Sequence, residues 1–427
     1  MGTLLIRHGY IADPGSGFEG KADLFVKDGR IEKVAENISK KADRVIEAEG
    51  LTVLPGLVDL HVHLRDPGQE YKENLVSGSE AAAHGGVTSL LAMGNTRPPM
   101  DSLYRAAYVI NKAKAETAIH IYQAGTITRG MAGEELVDME AMAEGGVRAF
   151  SEDGKSVMNA ELLRKAMKEA KRLGVLIAEH CEDRTMVLGG VVNDDENAAR
   201  LGLPGISNAV EDVIAARDCV LAAETGCALH LCHCSTKGSA EIIRMARKIG
   251  ANVSAEVCPH HFTLTSDDVK ADDTNYKMNP PLRTKEDVEA LREALADGTI
   301  SCISTDHAPH AEDEKNRSFL EAPFGIVGLE TSAAITYTEL VKPGILTLMQ
   351  MAEKMSRNPA RVLGIEAGTL QEGMPADIAV FDFSKSYKIN PRKFLSKGRN
   401  TPFGGRTVYG KPVLTAAGGK IVWEDLK

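Results

Sequence analysis

Long apolar runs and basic clusters are both missing from this sequence of 427 residues. No apolar run approaches the ~18 residues that a membrane-spanning helix needs, so we predict no membrane segment. Lys and Arg total 50 against 60 Asp and Glu, which gives a net charge of −10 without any basic block. This balance argues against nucleic acid or an anionic membrane as a partner. An anionic substrate must therefore be attracted by local positive charge.

Paired cysteines are missing as well. The seven cysteines fall between Cys181 and Cys302 and form no C-x-x-C pair. An odd number confined to the middle of a large chain is not typical of a disulfide framework or of a zinc ribbon. Near the start, Arg7 and His8 stand where a secretory signal peptide needs its apolar segment. We therefore expect a cytoplasmic protein.

Patterns typical of short β-strands occupy both ends of the chain. Residues 1–52 contain strand-like runs and an Asp28-Gly29 hairpin signal, and residues 366–427 have the same character. Neither end has enough strands to bury a core of its own. We predict that the two ends pair into one small discontinuous β-sandwich domain.

Residues 53–365, between these ends, alternate short β-branched runs with amphipathic helical stretches. The predicted strands are VLPGLVDLHVHL, VTSLLAMG, AIHIYQAG, VRAFSED, VLIAEHC, ALHLCHC, ANVSAEVC and ISCISTDHA. Eight β-then-α units favour an α/β fold of the (β/α)₈ TIM-like barrel type, with an open doubly wound sheet as the alternative.

Polar residues that can bind a metal stand at the ends of these strands. His61 and His63 share one face of an extended strand, because side chains alternate, so both can reach one ion. Later strand ends carry Asp153, His180, His233 and Asp306. Active sites of barrels gather at the C-terminal ends of the strands, and imidazoles with carboxylates suit Zn²⁺ or a similar divalent ion. A lone H-x-H is weak evidence for a metal, and the alternative is two histidines that only hydrogen-bond in the barrel mouth.

Several motifs together resemble a known family. The motifs are DLHVHLRDPG, MGNTRP, FSEDG, EHCED, CHCST, CPHH, MNPPLR, STDHAPH and APFG. Over essentially its whole length, the chain resembles the dihydroorotases of the amidohydrolase superfamily, specifically the longer type I form. The first motif alone would also admit an allantoinase or a hydantoinase, and the later motifs narrow the choice.

This resemblance implies a reaction, a cofactor and an assembly. Dihydroorotases reversibly cyclise N-carbamoyl-L-aspartate to L-dihydroorotate in pyrimidine (UMP) biosynthesis. By resemblance, the chain is a zinc-dependent cyclic amidohydrolase that holds one or two Zn²⁺, with two favoured. A homodimer or another homo-oligomer is expected, and aspartate transcarbamoylase is a candidate partner.

The resemblance also assigns the metal ligands. It places His61, His63 and Asp306 on one metal, His180 and His233 on the second, and Asp153 between the two. Many superfamily relatives bridge their metals with a carboxylated lysine, for which Lys155 is the nearest candidate. We favour Asp153 as the bridge, because Lys155 lies beyond the expected strand end.

Roles in catalysis and substrate binding follow by the same resemblance. Asp306 would take a proton from the attacking water and return it to the departing ring nitrogen. Arg65 can bind a substrate carboxylate through two parallel hydrogen bonds, and it shares the face of His63 if the strand continues extended. The other implied contacts are Asn95 and His310 at the carboxylate, and Asn279, Phe324 and Gly325 at the ring.

Three functions remain open at this point: an active dihydroorotase, another cyclic amidohydrolase such as allantoinase or dihydropyrimidinase, and an inactive scaffold for aspartate transcarbamoylase. Arg65, Asp153 and the motif STDHAPH argue against the second. Inactive scaffolds typically lose metal ligands, and this chain keeps all six. We favour the active dihydroorotase.

Two local predictions concern the surroundings of the ligands. Cys232 and Cys234 flank His233, so alternation predicts that both are buried on the face opposite to this ligand. The polar stretch after Asp306 is expected to form a mobile loop over the barrel mouth.

Overall fold

The computed structural model describes residues 2–426. Its strands are β1 (Thr3–Asp13), β2 (Phe18–Lys27), β3 (Arg30–Ala35), β4 (Arg44–Glu47), β5 (Thr52–Pro55), β6 (Leu57–Val62), β7 (Val87–Ala92), β8 (His120–Gly125), β9 (Ala149–Phe150), β10 (Leu176–Glu179), β11 (Val192–Asn193), β12 (Gly205–Ile206), β13 (Leu229–Leu231), β14 (Val253–Val257), β15 (Cys302–Ile303), β16 (Ile378–Lys388), β17 (Thr407–Ala417) and β18 (Lys420–Glu424).

The helices are α1 (Leu75–His84), α2 (Leu103–Glu116), α3 (Met139–Glu144), α4 (Ala160–Leu173), α5 (Glu196–Leu201), α6 (Ala209–Thr225), α7 (Lys237–Lys248), α8 (Lys285–Ala296), α9 (Glu312–Lys315), α10 (Ser332–Thr336), α11 (Leu348–Ala352) and α12 (Asn358–Leu363). Two π-helical turns, Tyr337–Val341 and Glu353–Arg357, continue α10 and α11. No helix in residues 2–426 has both the length and the apolar character needed to cross a membrane.

Strands from both ends of the chain share one eight-stranded sheet, in the order β18-β17-β16-β5-β1-β2-β3, with β4 paired to β1. Strand β5 pairs with both β1 and β16, and so joins the two ends of the chain. Ile6 and Leu24 from one end share an apolar core with Val380 and Leu414 from the other. The predicted hairpin is present, since β2 and β3 are joined by residues 28 and 29 at φ values of 50° and 84°.

The first predicted barrel strand is divided in two at Gly56. Strand β5 before this glycine belongs to the sheet of the chain ends, and β6 after it belongs to the barrel. A Cβ atom at Gly56 would collide with the side chain of Thr88, so only glycine fits where the chain passes between the sheets. The predicted boundary between residues 52 and 53 therefore falls inside β5, and the first part of the terminal sheet extends to Pro55.

Eight parallel strands form the barrel, in the order β6-β7-β8-β9-β10-β13-β14-β15. All eight predicted runs contribute a strand. The barrel closes beside β6, where Val62 pairs with His307 and the His63 amide donates to the His307 carbonyl at 2.9 Å. The (β/α)₈ barrel is confirmed, and the open doubly wound sheet is excluded.

Helix α4 shows how the sequence sets the spacing between barrel strands. The helix begins after Asn159, whose side chain accepts hydrogen bonds from the amides of Glu161 and Leu162, and it ends at Gly174 with φ of 69°. Its buried face includes Leu163. The left-handed glycine stops the helix directly before β10, the strand that leads to His180.

Candidate active site

The six predicted metal ligands converge at the C-terminal mouth of the barrel. Each lies in or shortly after a barrel strand, namely β6, β9, β10, β13 or β15. All six side chains are buried: His61, His63, Asp153, His180, His233 and Asp306. The polar strand ends identified in the sequence therefore form one cluster.

The two imidazoles from β6 face both carboxylates. Nε2 of His63 lies 3.0 Å from Oδ1 of Asp306, and Nε2 of His61 lies 3.6 Å from the same oxygen. On the other side, Asp153 places Oδ1 3.1 Å from Nε2 of His61 and Oδ2 3.4 Å from Nε2 of His63. Both carboxylates can thus share an ion with these imidazoles.

The other two imidazoles approach Asp153 from the opposite direction. Nδ1 of His180 lies 2.9 Å from Nε2 of His233, and these nitrogens lie 3.7 Å and 3.6 Å from Oδ1 of Asp153. Asp153 therefore stands between the two pairs of imidazoles. Lys155, the alternative bridge, instead donates from Nζ to the carbonyl of Met131 at 3.2 Å.

The imidazoles keep both carboxylates ionised. Burial alone would raise the pKa of Asp306, but the hydrogen bond with His63 and the charges of His61 and His63 hold this pKa below its usual range. Burial of Asp153 is outweighed in the same way, mainly by His61 and His233, so its pKa lies well below the usual value. Each carboxylate can therefore serve as an anionic ligand or as a proton acceptor.

Two buried atoms that lack a hydrogen bond lie close together at the centre of the cluster. Within residues 2–426 they are Nε2 of His61 and Oδ1 of Asp153, which are 3.1 Å apart. Two overlapping groups of three residues, His61 with His63 and Asp306, and His61 with Asp153 and His233, have ligand atoms within 4.8 Å of one another. Imidazole nitrogen and carboxylate oxygen are ligands that zinc prefers. The donor set fits a divalent cation.

Glu256 forms a hydrogen bond with the His61 ring nitrogen that points away from Asp153, a contact that the sequence did not predict. Its Oε1 lies 2.9 Å from Nδ1 of His61, and its Oε2 lies 3.0 Å from Nε2 of His230. Because a carboxylate accepts, Nδ1 of His61 carries the proton, and in the neutral ring Nε2 presents its lone pair to the site. The available signal was an acidic residue inside the mostly apolar strand β14.

The predicted substrate contacts line a cavity of about 240 Å³ at the same mouth. Five of the six reach it: Arg65, Asn95, Asn279, Phe324 and Gly325. Arg65 does so from a left-handed φ of 59°, not from an extended strand, since β6 ends at Val62. Its Nε donates to the carbonyl of Pro309 at 3.3 Å, and its terminal nitrogens make no hydrogen bond within the part of the chain that the structure describes.

Comparison with known proteins places this geometry in a family. Residues 50–239 match the family described as Dihydro-orotase-like, and residues 208–422 match the Amidohydrolase family. A dihydroorotase of Pelotomaculum thermopropionicum is 48% identical over 425 residues, covering 99% of each chain. One of Geobacter metallireducens is 47% identical over 423 residues, covering 99% of this chain and 100% of the other. The chain belongs to the dihydroorotase family.

Solved structures of cyclic amidohydrolases share the fold. L-hydantoinase (dihydropyrimidinase) of Arthrobacter aurescens matches with a TM-score of 0.90 at 27% identity, covering 100% of this chain and 97% of that one. A D-hydantoinase matches with a TM-score of 0.87 at 26% identity, covering 99% and 95% of the two chains. The family membership makes this chain a cyclic amidohydrolase, a dihydroorotase of pyrimidine biosynthesis.

The prediction for Cys232 is wrong in this dihydroorotase family member. Cys232 packs inside the barrel, and its sulfur lies within 4.8 Å of ligand atoms of His61 and Glu256. Cys234 packs on the outer side of the strands. The cause is His233, whose φ of 32° interrupts the extended backbone that alternation assumes. Both thiols are buried, as predicted.

His310 lies behind the cavity wall and is not among the lining side chains. Its Nε2 donates to the carbonyl of Phe324 at 2.8 Å, and its Nδ1 faces Nζ of Lys72 at 3.3 Å. Burial, followed by the charges of Arg65 and Lys72, lowers the pKa of His310 to about 2. The ring is therefore neutral, and protein groups occupy both nitrogens.

The polar stretch after Asp306 is tied to the mouth by a buried lysine. Nζ of Lys315 donates to three carbonyl oxygens, those of Lys277 at 3.3 Å, Pro323 at 3.0 Å and Gly325 at 3.1 Å. These bonds connect the middle of the stretch to its end and to Lys277. Ala308 of this stretch lines the cavity, and the mobility of the stretch stays a prediction.

Proposed function

We propose that the chain cyclises N-carbamoyl-L-aspartate to L-dihydroorotate reversibly, as a type I dihydroorotase. The observation that carries the proposal is the position of four imidazoles and two carboxylates at a cavity that is also lined by Arg65, whose guanidinium bonds to Pro309 through Nε alone among the described residues. Hydrolysis of a cyclic amide needs a centre that activates water, and a substrate carboxylate needs a cation. One cavity supplies both.

Zinc is the cofactor that we propose, with two ions per subunit. The ligands would be His61, His63 and Asp306 for one ion, His180 and His233 for the other, and Asp153 for both. When bound, such ions lower the pKa of water toward neutrality and polarise the scissile carbonyl. The hydrogen bond from Lys155 to Met131 supports Asp153 as the bridge, because it occupies the amine elsewhere.

Asp306 is the residue that we propose to move the proton. Its Oδ1 faces His63 and His61, which leaves Oδ2 to accept a proton from the attacking water. In hydrolysis, Asp306 returns this proton to the departing ring nitrogen. In cyclisation, it receives the proton of the ureido nitrogen as the ring closes.

Arg65 is the main contact that we propose for the substrate carboxylate. Asn95 joins it there, while its side chain also connects Nδ1 of His63, at 3.0 Å, to Oδ2 of Asp153, at 3.0 Å. His310 can contact the substrate carboxylate only if its hydrogen bond to the carbonyl of Phe324 breaks. The ring would lie against Asn279 and the backbone of Phe324 and Gly325.

Assembly and location are proposed from the resemblance and the composition. We propose a cytoplasmic homodimer or other homo-oligomer, with aspartate transcarbamoylase as a candidate partner. The catalytic barrel is assigned to residues 53–365, and the terminal β domain to residues 1–52 and 366–427. Sedimentation of the purified chain, alone and mixed with a transcarbamoylase, tests the assembly.

A substrate panel combined with zinc analysis tests the reaction. We expect rapid interconversion of N-carbamoyl-L-aspartate and L-dihydroorotate, and much slower turnover of dihydrouracil, hydantoin and allantoin. The similarity in fold to L-hydantoinase favours hydantoin or dihydrouracil hydrolysis as the second candidate function, and faster turnover of those compounds would establish it. Zinc-loaded protein that turns over none of the five compounds would contradict an enzymatic role.

A further inference from the structure

A further carboxylate, that of Glu182, lies beside the cavity. Its Oε2 accepts a hydrogen bond from Nδ2 of Asn279 at 2.6 Å, and the same oxygen lies 3.6 Å from Nε2 of His180. The Glu182 side chain is only 13% exposed. The hydrogen bond joins residues 97 positions apart in the sequence, so it exists only because the barrel brings the loop after β10 close to the long segment that follows β14.

This contact fixes which end of the Asn279 amide faces the cavity. A carboxylate accepts hydrogen bonds and donates none, so the NH₂ group of Asn279 must face Glu182. The carbonyl oxygen Oδ1 occupies the other branch of the planar amide, and Asn279 lines the cavity. Asn279 can therefore offer Oδ1 to the cavity as an acceptor.

The proposed substrate presents a group that such an acceptor can bind. N-carbamoyl-L-aspartate and L-dihydroorotate both carry an N–H on the carbon that bears the carboxylate, and this nitrogen takes no part in ring closure. The other nitrogen forms and loses the amide bond, so it belongs near Asp306. The carboxylate belongs at Arg65. The non-reacting N–H is the remaining donor of the substrate.

We propose that Glu182 is a positioning residue: it holds the Asn279 amide so that Oδ1 accepts the non-reacting N–H of the substrate. The identity of that N–H rests on the proposed function. Because substrate and product both carry this group, the bond stabilises the ground state and the transition state alike. Its loss therefore raises KM and leaves kcat nearly unchanged.

A different role for Glu182 would have a different signature. Glu182 also faces His180, at the longer distance of 3.6 Å. If orienting this imidazole were its main task, removing the carboxylate would lower zinc content and kcat. A double-mutant cycle with Asn279 separates the two roles.

The experiment compares the parent with Glu182→Leu, Asn279→Ala and the double variant, with Asp183→Asn as the matched control. We expect each single substitution to raise KM for dihydroorotate by about 5- to 10-fold, the effect of one neutral hydrogen bond, with kcat and zinc content retained. The double variant should be no worse than Asn279→Ala, since Glu182 acts through that amide. Asp183→Asn removes a neighbouring charge that contacts Thr185 instead, and should leave KM unchanged.

Glu182→Gln keeps an acceptor oxygen and should raise KM less than Glu182→Leu does, so it replaces the leucine variant in the cycle if that variant does not fold. Additive losses in the cycle, or a joint loss of zinc and kcat when Glu182 alone is changed, would overturn the inference. A parent enzyme without dihydroorotate turnover would contradict the proposed function instead, so the two failures are distinct.

Discussion

The guanidinium of Arg65 makes one hydrogen bond to the protein and keeps other donors for a substrate. Its Nε donates to the carbonyl of Pro309 at 3.3 Å, and this bond fixes the plane of the group. Among residues 2–426, Nη1 and Nη2 make no hydrogen bond, so two parallel donors remain available at the cavity. Such a fork matches a carboxylate in geometry and in charge. Replacing Arg65 should therefore remove recognition of the substrate carboxylate.

Arg65→Met keeps an apolar stem and removes the fork. A hydrogen bond to a charged group contributes about 1.5–3 kcal/mol, and the half-buried position of Arg65 screens part of this. A total near 3 kcal/mol corresponds to a roughly 10²-fold loss of kcat/KM for dihydroorotate, at about 1.4 kcal/mol per tenfold. Arg65→Lys should recover only part of the loss, because an ammonium group lacks the planar pair of donors.

The assay measures kcat/KM for dihydroorotate and for dihydrouracil at matched zinc content. Dihydrouracil shares the ring and the scissile amide but lacks the carboxylate, so Arg65→Met should barely change its turnover. Arg97→Met, which changes an exposed arginine near the mouth, is the matched control and should affect neither substrate. Equal losses on both substrates in Arg65→Met would refute the reasoning, because the arginine would then support the site and not the carboxylate.

Three further predictions concern the bridge and the hydrogen-bonded side chains of His120 and Lys315. Asp153→Ala should lose zinc and activity while Lys155→Ala keeps most of both, and the reverse result would identify the lysine as the bridge. The hydrogen bond to Asp377 raises the pKa of His120, so its stabilisation is present below about pH 6.5 and lost as pH rises through the folded-state pKa. His120→Gln should thus lower Tm at pH 5.5 more than at pH 8.5. Burial lowers the pKa of Lys315 to about 7, so the folded state binds fewer protons than the unfolded state between about pH 7 and pH 10. The free energy of unfolding of the parent, minus that of Lys315→Met, should therefore rise with pH through this window. Denaturant titrations in which this difference falls as pH rises would contradict the assignment.

The barrel could be predicted from sequence because its strands carry a local pattern. Each predicted run is short, β-branched and followed by a segment of helical periodicity, and a buried parallel strand requires this composition. The division of the first run could not be predicted, because it depends on the approach of Thr88 to Gly56 in the folded chain. Strand pairing between β5 and the strands of both chain ends is likewise a tertiary property.

The cluster of candidate metal ligands was predictable for a similar local reason, and the residues that hold it were not. Each candidate ligand is a polar residue at or near the end of an apolar run, which a sequence displays directly. Glu256 supports His61 across 195 residues, and Glu182 supports Asn279 across 97. Which carboxylate meets which ring or amide is decided by the order of strands around the barrel, and no local pattern encodes this order.

Strand alternation predicts side-chain direction only up to the last extended residue, and this site lies just beyond that residue. Arg65, His233 and Asp306 have φ values of 59°, 32° and 47°, a left-handed conformation that costs a non-glycine residue roughly 1–3 kcal/mol. Surrounding contacts offset this cost: His63 bonds to Asp306, Pro309 bonds to Arg65, and Glu256 accepts from the His233 amide at 3.3 Å. The turned backbone sends neighbouring side chains in directions that an extended strand forbids. His233 thereby reaches the site while Cys232 enters the barrel interior. Where the backbone turns in this way, the periodicity that identifies the strands no longer predicts side-chain direction, and residues at such turns are themselves candidates for function.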